Sequence, residues 1–305
     1  MKLNLPALRT ASAFLVTTLA LTLVASPAAA QLDWAQAAEA SIQPGAVMIT
    51  QGSQCTANFV FHDSNDIYLG QAAHCSGADG GGGQPNGCLN PTLPPGTPVT
   101  IEGASRPGTL AYSSWHLMQQ VGEDDPETCF FNDFALVKID PADHERVNPS
   151  MPHWGGPTGQ TGSLNPGNKV LGYGSSELAL GIRELKPKEG VYKSRSPQGW
   201  GHTVFTLTPG IPGDSGSALI DGQGRAFGVL STLIILPEPL SNGVVDLTKA
   251  LDYMREKTGL TDVVLAEGTE PFTGQHSPLE TPFSLLAPLL NTVDSIVAQL
   301  RMLGL

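Results

Sequence analysis

The chain has 305 residues, enough for one large domain or two small ones with true hydrophobic cores. Its 16 Lys and Arg face 28 Asp and Glu, and the formal charge of −12 repels phosphate backbones and excludes nucleic acid as an expected partner. Hydrophobic residues at 40%, with 35 Gly and 25 Pro, favour many short strands and turns over a helical bundle.

Residues 1–30 read as an export signal. Lys2 and Arg9 precede the apolar run 13-AFLVTTLALTLVA-25, and Ala28-Ala29-Ala30 offers the small residues a signal peptidase reads. The run is short and holds three threonines, which argues against a transmembrane anchor. Cleavage after Ala30 is expected to give a mature chain that starts at Gln31 with charge 14 − 28 = −14. From 47-VMIT-50 to 134-FALVKI-139, short apolar or alternating runs are separated by turn residues; 57-ANFVF-61, 66-DIYLG-70, 98-PVTIEG-103 and 109-TLAY-112 read as half-buried strands. The segment 76-SGADGGGGQPNGC-88 has no periodicity and reads as a loop. Four cysteines in an exported chain, Cys55, Cys75, Cys88 and Cys129, predict two disulfides with three pairings open. No C-x-x-C or H-x-x-x-H spacing supports zinc, and acidic 123-EDDPE-127 reads as a solvated loop rather than a calcium site; no metal or cofactor is expected.

Residues 141–168, rich in Pro and Gly, read as a linker. A second strand set follows in 169-KVLGYG-174, 191-VYKS-194, 203-TVFTL-207, 217-SALID-221, 226-AFGVLSTLII-235 and 243-GVV-245. The stretch 246-DLTKALDYMREKTG-259 reads as a helix capped by Asp246 and stopped by Gly259, with Leu247, Leu251 and Met254 on its buried face. In the tail, Leu286, Leu290, Val293, Val297 and Leu300 keep helical spacing. A helix packing that stripe on the body is expected, with membrane-surface or partner contact through residues 283–305 as the alternative. Asp294 and Arg301 oppose a spanning helix.

The candidate chemistry lies in 209-PGIPGDSGSALID-221. A serine hydroxyl is a poor nucleophile at neutral pH; it needs a base, a carboxylate to fix that base's tautomer, and backbone donors for the developing oxyanion. Among seven histidines, His74 ends an apolar strand beside a cysteine in 71-QAAHC-75, whereas His62, His116, His144, His153, His202 and His276 sit in featureless polar settings. Among the acids, Asp133 opens the apolar run 132-NDFALVKID-140, where a partly buried carboxylate requires a partner.

The three segments 71-QAAHC-75, 132-NDFALVKI-139 and 213-GDSGSAL-219 resemble the signature motifs of the chymotrypsin/trypsin-like serine peptidases, in that family's order. The resemblance covers about residues 42–260. It implies an all-β fold of two antiparallel six-stranded barrels, with a helix after the second and a helical C-terminal tail beyond. Residues 31–150 would form a first barrel with His74 and Asp133, residues 151–260 a second with Ser215, and residues 261–305 an extension. Ser215 would be the nucleophile, His74 the general base and acid, and Asp133 the group orienting His74. The N–H groups of Gly213 and Ser215 would form the oxyanion hole, and Ser231 matches the family's serine below the aspartate. A Cys55–Cys75 bridge is implied, which leaves Cys88 with Cys129.

The chain departs from the trypsin type at the specificity pocket. Pro209 stands six residues before Ser215, where trypsin-type members carry a carboxylate, and Leu233 stands where wide pockets have glycine. A small or neutral apolar residue before the scissile bond is expected, not Lys or Arg. No Ile-Val terminus precedes Cys55 to pair with Asp214, and the 24 residues from Gln31 to Cys55 are too few for a folded pro-domain. The chain looks like a secreted bacterial, actinobacterial-type relative in which another group satisfies Asp214. The rival to an endopeptidase is a catalytically silent scaffold that binds a partner. An α/β-hydrolase is rejected, because Gly213-Asp214-Ser215-Gly216-Ser217 is not G-x-S-x-G and that fold places its histidine last.

Overall fold

Short runs of β-branched and aromatic residues between glycine- and proline-bearing turns favour antiparallel sheets, and these dominate the computed structural model. Residues 1, 32–78, 86–180, 182–234 and 239–274 are described. The export-signal reading, the centre of the Gly-rich loop and the tail helix therefore fall outside the described residues. The chain divides into Met1–Asp33 and a compact unit from Trp34 onward, and the second unit holds every strand and helix among the described residues.

The first half supplies β1 (Val47–Thr50), β2 (Ser53–Thr56), β3 (Val60–His62), β4 (Ile67–Gln71), β5 (Pro98–Ile101), β6 (Gly108–Ser113) and β7 (Ala135–Lys138). The second supplies β8 (Lys169–Tyr173), β9 (Pro187–Arg195), β10 (Gly201–Leu207), β11 (Ala218–Asp221), β12 (Ala226–Ile234) and β13 (Ser241–Asp246). These six close into a barrel in the order β10-β13-β12-β11-β8-β9. The first half differs from the expected six-stranded barrel. It is an eight-stranded sheet whose pairing runs from an added strand, β14 (Val264–Leu265), through β3-β4-β7-β6-β5-β1 to β2 without closing. Val264 and Leu265 pair with His62 and Phe61, so the start of the expected extension belongs to the first sheet.

Among the described residues three α-helices flank the sheets. The first, α1 (Ser114–Val121), is capped by Ser113 and ends at Gly122 in the left-handed region. Asp125 caps α2 (Pro126–Phe131), with proline in its first turn. Neither is visible in the sequence periodicity, because each spans barely two turns. The expected helix is α3 (Leu247–Lys257), with Asp246 accepting from Lys249 N–H and with Leu247, Leu251 and Met254 fully buried. Among the described residues no helix is long and apolar enough to cross a membrane.

Residues 141–168 do connect the two sheets, with only a 3-10 turn, Pro141–Arg146, as regular structure, but the connection is not a free spacer. Trp154 within it is wholly buried, donates its Nε1–H to Gly172 O at 2.8 Å, and packs in a core that joins Phe59 and Phe134 of the first half to Leu171 and Leu251 of the second. The glycines and prolines around it hide a large core residue from any periodicity test. Residues 123–127 are half-buried to exposed, as a solvated segment would be, but they are tied down: Glu127 accepts from Ser196 Oγ at 2.7 Å and Gln198 N at 2.9 Å, and Glu123 accepts from Tyr253 OH at 3.0 Å. Replacing Trp154 with alanine removes an indole from both halves at once. The expected result is a loss of about 3–5 kcal/mol in urea unfolding, with both halves melting in one transition.

Candidate active site

His74 sits in a 3-10 turn, Ala73–Ser76, directly after β4. The Cys55–Cys75 disulfide, with Cα atoms 6.0 Å apart, ties that turn to β2. The second disulfide joins Cys88 to Cys129 of α2, four residues before Asp133, and Gly87 N–H donates to Cys129 O at 2.8 Å. Cys55, His74 and Cys75 converge within 4.8 Å, but the two sulfurs are bonded to each other and offer no thiolate to a metal.

Asp133 follows α2 at the approach to β7 and is 2% exposed. Ser114 holds the chain on both sides of it: its hydroxyl donates to Asn132 O at 2.6 Å and accepts from Phe134 N at 3.0 Å. One Asp133 oxygen accepts His74 N–H at 2.8 Å; the other accepts His74 Nδ1–H at 2.7 Å and Ser231 Oγ–H at 2.5 Å. Burial alone would push this carboxyl up, but the imidazole charge beside it and hydrogen bonds from His74 and Ser231 hold it below its ordinary 3.8. With Nδ1–H committed to Asp133, a neutral imidazole carries its lone pair on Nε2, the form a general base requires.

Ser215 lies in the turn between β10 and β11, and it lines one cleft of about 690 Å³ together with His74. Gly213 has φ +94°, a region closed to most side chains, which explains the glycine there. Asp214 N–H donates to Ile211 O and Gly216 N–H to Leu230 O, whereas the N–H groups of Gly213 and Ser215 take no partner among the described residues. Sequence reasoning missed the residues that clamp this turn from the first half. Thr56 donates its Oγ1–H to Gly213 O at 2.7 Å and its N–H to Ser215 O at 2.8 Å, and Asn58 Nδ2 donates to Gly216 O at 3.0 Å.

The group that satisfies Asp214 is Lys188 of β9. Its Nζ lies 2.9 Å from Asp214 Oδ2, and the two side chains are 4% and 2% exposed. Ser176 N–H and Ile211 N–H complete the carboxylate at 3.0 and 3.1 Å, while Lys188 also donates to Thr208 Oγ1 and Pro209 O. Gly174 has no side chain because a Cβ there would stand 2.2 Å from Asp214 Oδ1.

The expected pocket residues line the same cleft or support it. Ile211, Leu230 and Leu233 form its apolar wall. Behind the lining residues Gly210 and Thr232, buried Asn242 accepts Gly210 N–H at 2.8 Å and donates to Gly210 O and Thr232 O, which fixes their backbone. Pro209 does not line the cleft; its carbonyl accepts from Lys188 Nζ at 3.3 Å.

No protein-family model matches the chain, and no curated protein does. In structure the chain is similar to actinobacterial chymotrypsin-like serine proteases over about 70% of its length, at low identity. Protease A of Thermobifida fusca aligns at 18% identity and TM-score 0.48, over 74% of this chain and 99% of that one. Nocardiopsis protease aligns at 19% and 0.46, over 73% and 98%, and Cellulomonas bogoriensis chymotrypsin at 19% and 0.43, over 70% and 94%.

Removing one member of a buried ion pair strands the other. Lys188→Met is expected to cost about 3–5 kcal/mol in urea unfolding, and Lys188→Met with Asp214→Asn clearly less than the single change. The lowered Asp133 carboxyl contributes stability that is complete above its ordinary value of 3.8 and is lost as pH falls through its lower folded value. Unfolding midpoints measured from about pH 5 to about pH 2 should fall in the native chain, and Asp133→Asn should remove that part of the slope.

Proposed function

We propose that the chain is an exported serine endopeptidase, with residues 31–150 carrying His74 and Asp133 and residues 151–260 carrying Ser215. The observation behind this reading is the hydrogen-bonded run from Ser231 through Asp133 to His74, in a cleft that Ser215 shares. Ser215 Oγ attacks the scissile carbonyl while His74 Nε2 takes its proton, and Asp133 stabilises the imidazolium. The unpartnered N–H groups of Gly213 and Ser215 receive the oxyanion. His74 then returns the proton to the leaving amine, and water releases the acyl group from Ser215 by the same steps.

The apolar wall of Ile211, Leu230 and Leu233 favours a small or neutral apolar residue before the scissile bond. Two disulfides suit an oxidising compartment and support export.

A fluorophosphonate probe tests the reading. An adduct on Ser215 is expected, together with a fall in kcat/KM of about 10⁴-fold or more in Ser215→Ala and loss of labelling in His74→Ala. A folded protein that never labels would instead identify a silent binding scaffold. Dominant cleavage after Lys or Arg in a peptide digest would overturn the pocket assignment.

A further inference from the structure

The cleft does not end at β2. Past Gln54 a second groove of about 420 Å³ continues, walled by Val47 and Ile49 of β1 and bearing Glu102, Glu177 and Lys186. Gln54 and Glu177 line both cavities, so the groove continues directly from the space beside Ser215. It leads away from the pocket formed by residues 209–212 and β12, where the family resemblance puts the residue before the scissile bond. On the proposed peptidase reading, the groove then takes the residues that follow the bond.

Glu177 is exposed, and its carboxylate has no hydrogen bond or ion pair among the described residues. Its backbone is nevertheless fixed. The preceding Ser176 donates its N–H to Asp214 at 3.0 Å and its hydroxyl to Pro212 O at 2.6 Å, and accepts Leu178 N–H at 3.1 Å. Glu102, also on the lining, accepts Val47 N–H through one carboxylate oxygen, at 2.9 Å. Lys186, the one cation on the lining, has its ammonium 6.0 Å from the Tyr173 ring. Tyr173 lines an adjoining hollow beside Pro44 and Gly45, which Lys186 and Glu102 border as well. Two carboxylates against one ammonium, on aliphatic walls, match a side chain with an apolar stem and a cationic head.

We propose that Glu177 is a specificity residue of this site, selecting substrates with lysine or arginine among the three residues after the scissile bond. The stem lies along Val47 and Ile49, and the head meets the Glu177 carboxylate. The inference rests on the peptidase reading, and its test separates the two.

Quenched peptides sharing one acyl side, with Arg, Gln or Glu at each of the three following positions, are compared on the wild type, Glu177→Gln and Glu177→Lys. The measured quantity is the ratio of kcat/KM for the Arg and Gln peptides within each protein, which does not depend on the active fraction. A wild-type ratio of about fivefold is expected at low salt, falling as salt is raised. Glu177→Gln should bring the ratio near one, and Glu177→Lys should invert it in favour of Glu peptides. Wild-type labelling by the fluorophosphonate with no preference for Arg, or a preference that survives Glu177→Lys, overturns the inference alone. No labelling and no cleavage overturns the peptidase reading and this inference together.

Discussion

Two opposite charges, Lys188 and Asp214, lie 2.9 Å apart beside the turn that carries Ser215, almost wholly out of water. Taking both from solvent costs several kcal/mol per ion, which mutual attraction offsets only when the remaining donors and acceptors are also matched. Here they are: two backbone N–H groups complete the carboxylate, and Thr208 Oγ1 and Pro209 O receive the ammonium. That matching fixes residues 208–214 and Ser176 around one point. The left-handed Gly213 and the orientation of the N–H groups beside it depend on this arrangement.

The turn is also held from outside its own barrel. Thr56 and Asn58 of the first half grip Gly213, Ser215 and Gly216, while Ser231 of the second half reaches back to Asp133. Each half therefore completes the other's polar groups. The continuous core through Trp154 gives those contacts a rigid frame.

His74, Asp133 and Ser215 could be singled out in the sequence because each flanks an apolar strand run and the three segments together match one family's motifs. The structure pairs His74 with Asp133 and puts Ser215 in the same cleft as His74. The strands around them were legible from the same apolar runs. Lys188 was not, because β9 opens with Pro-Lys-Glu-Gly, four poor strand formers, and periodicity detected only its last half. Trp154 was lost among glycines, and Thr56 looks like any strand threonine until Gly213, 157 residues away, is folded against it. The closed second barrel matches its strand pattern, but the first sheet gained β14 from beyond α3, a pairing too short for any alternation to announce.

The seam between the halves along residues 123–127 and 196–198 has a further consequence. Its carboxylates are met by hydroxyls, an amide and a backbone N–H rather than by lysine or arginine. Charge–dipole contacts at hydrogen-bond range are screened far less by dissolved ions than attraction between separated charges. The alignment that brings Ser231 to Asp133 therefore draws little on attraction between separated charges, the kind of contact that dissolved ions weaken most.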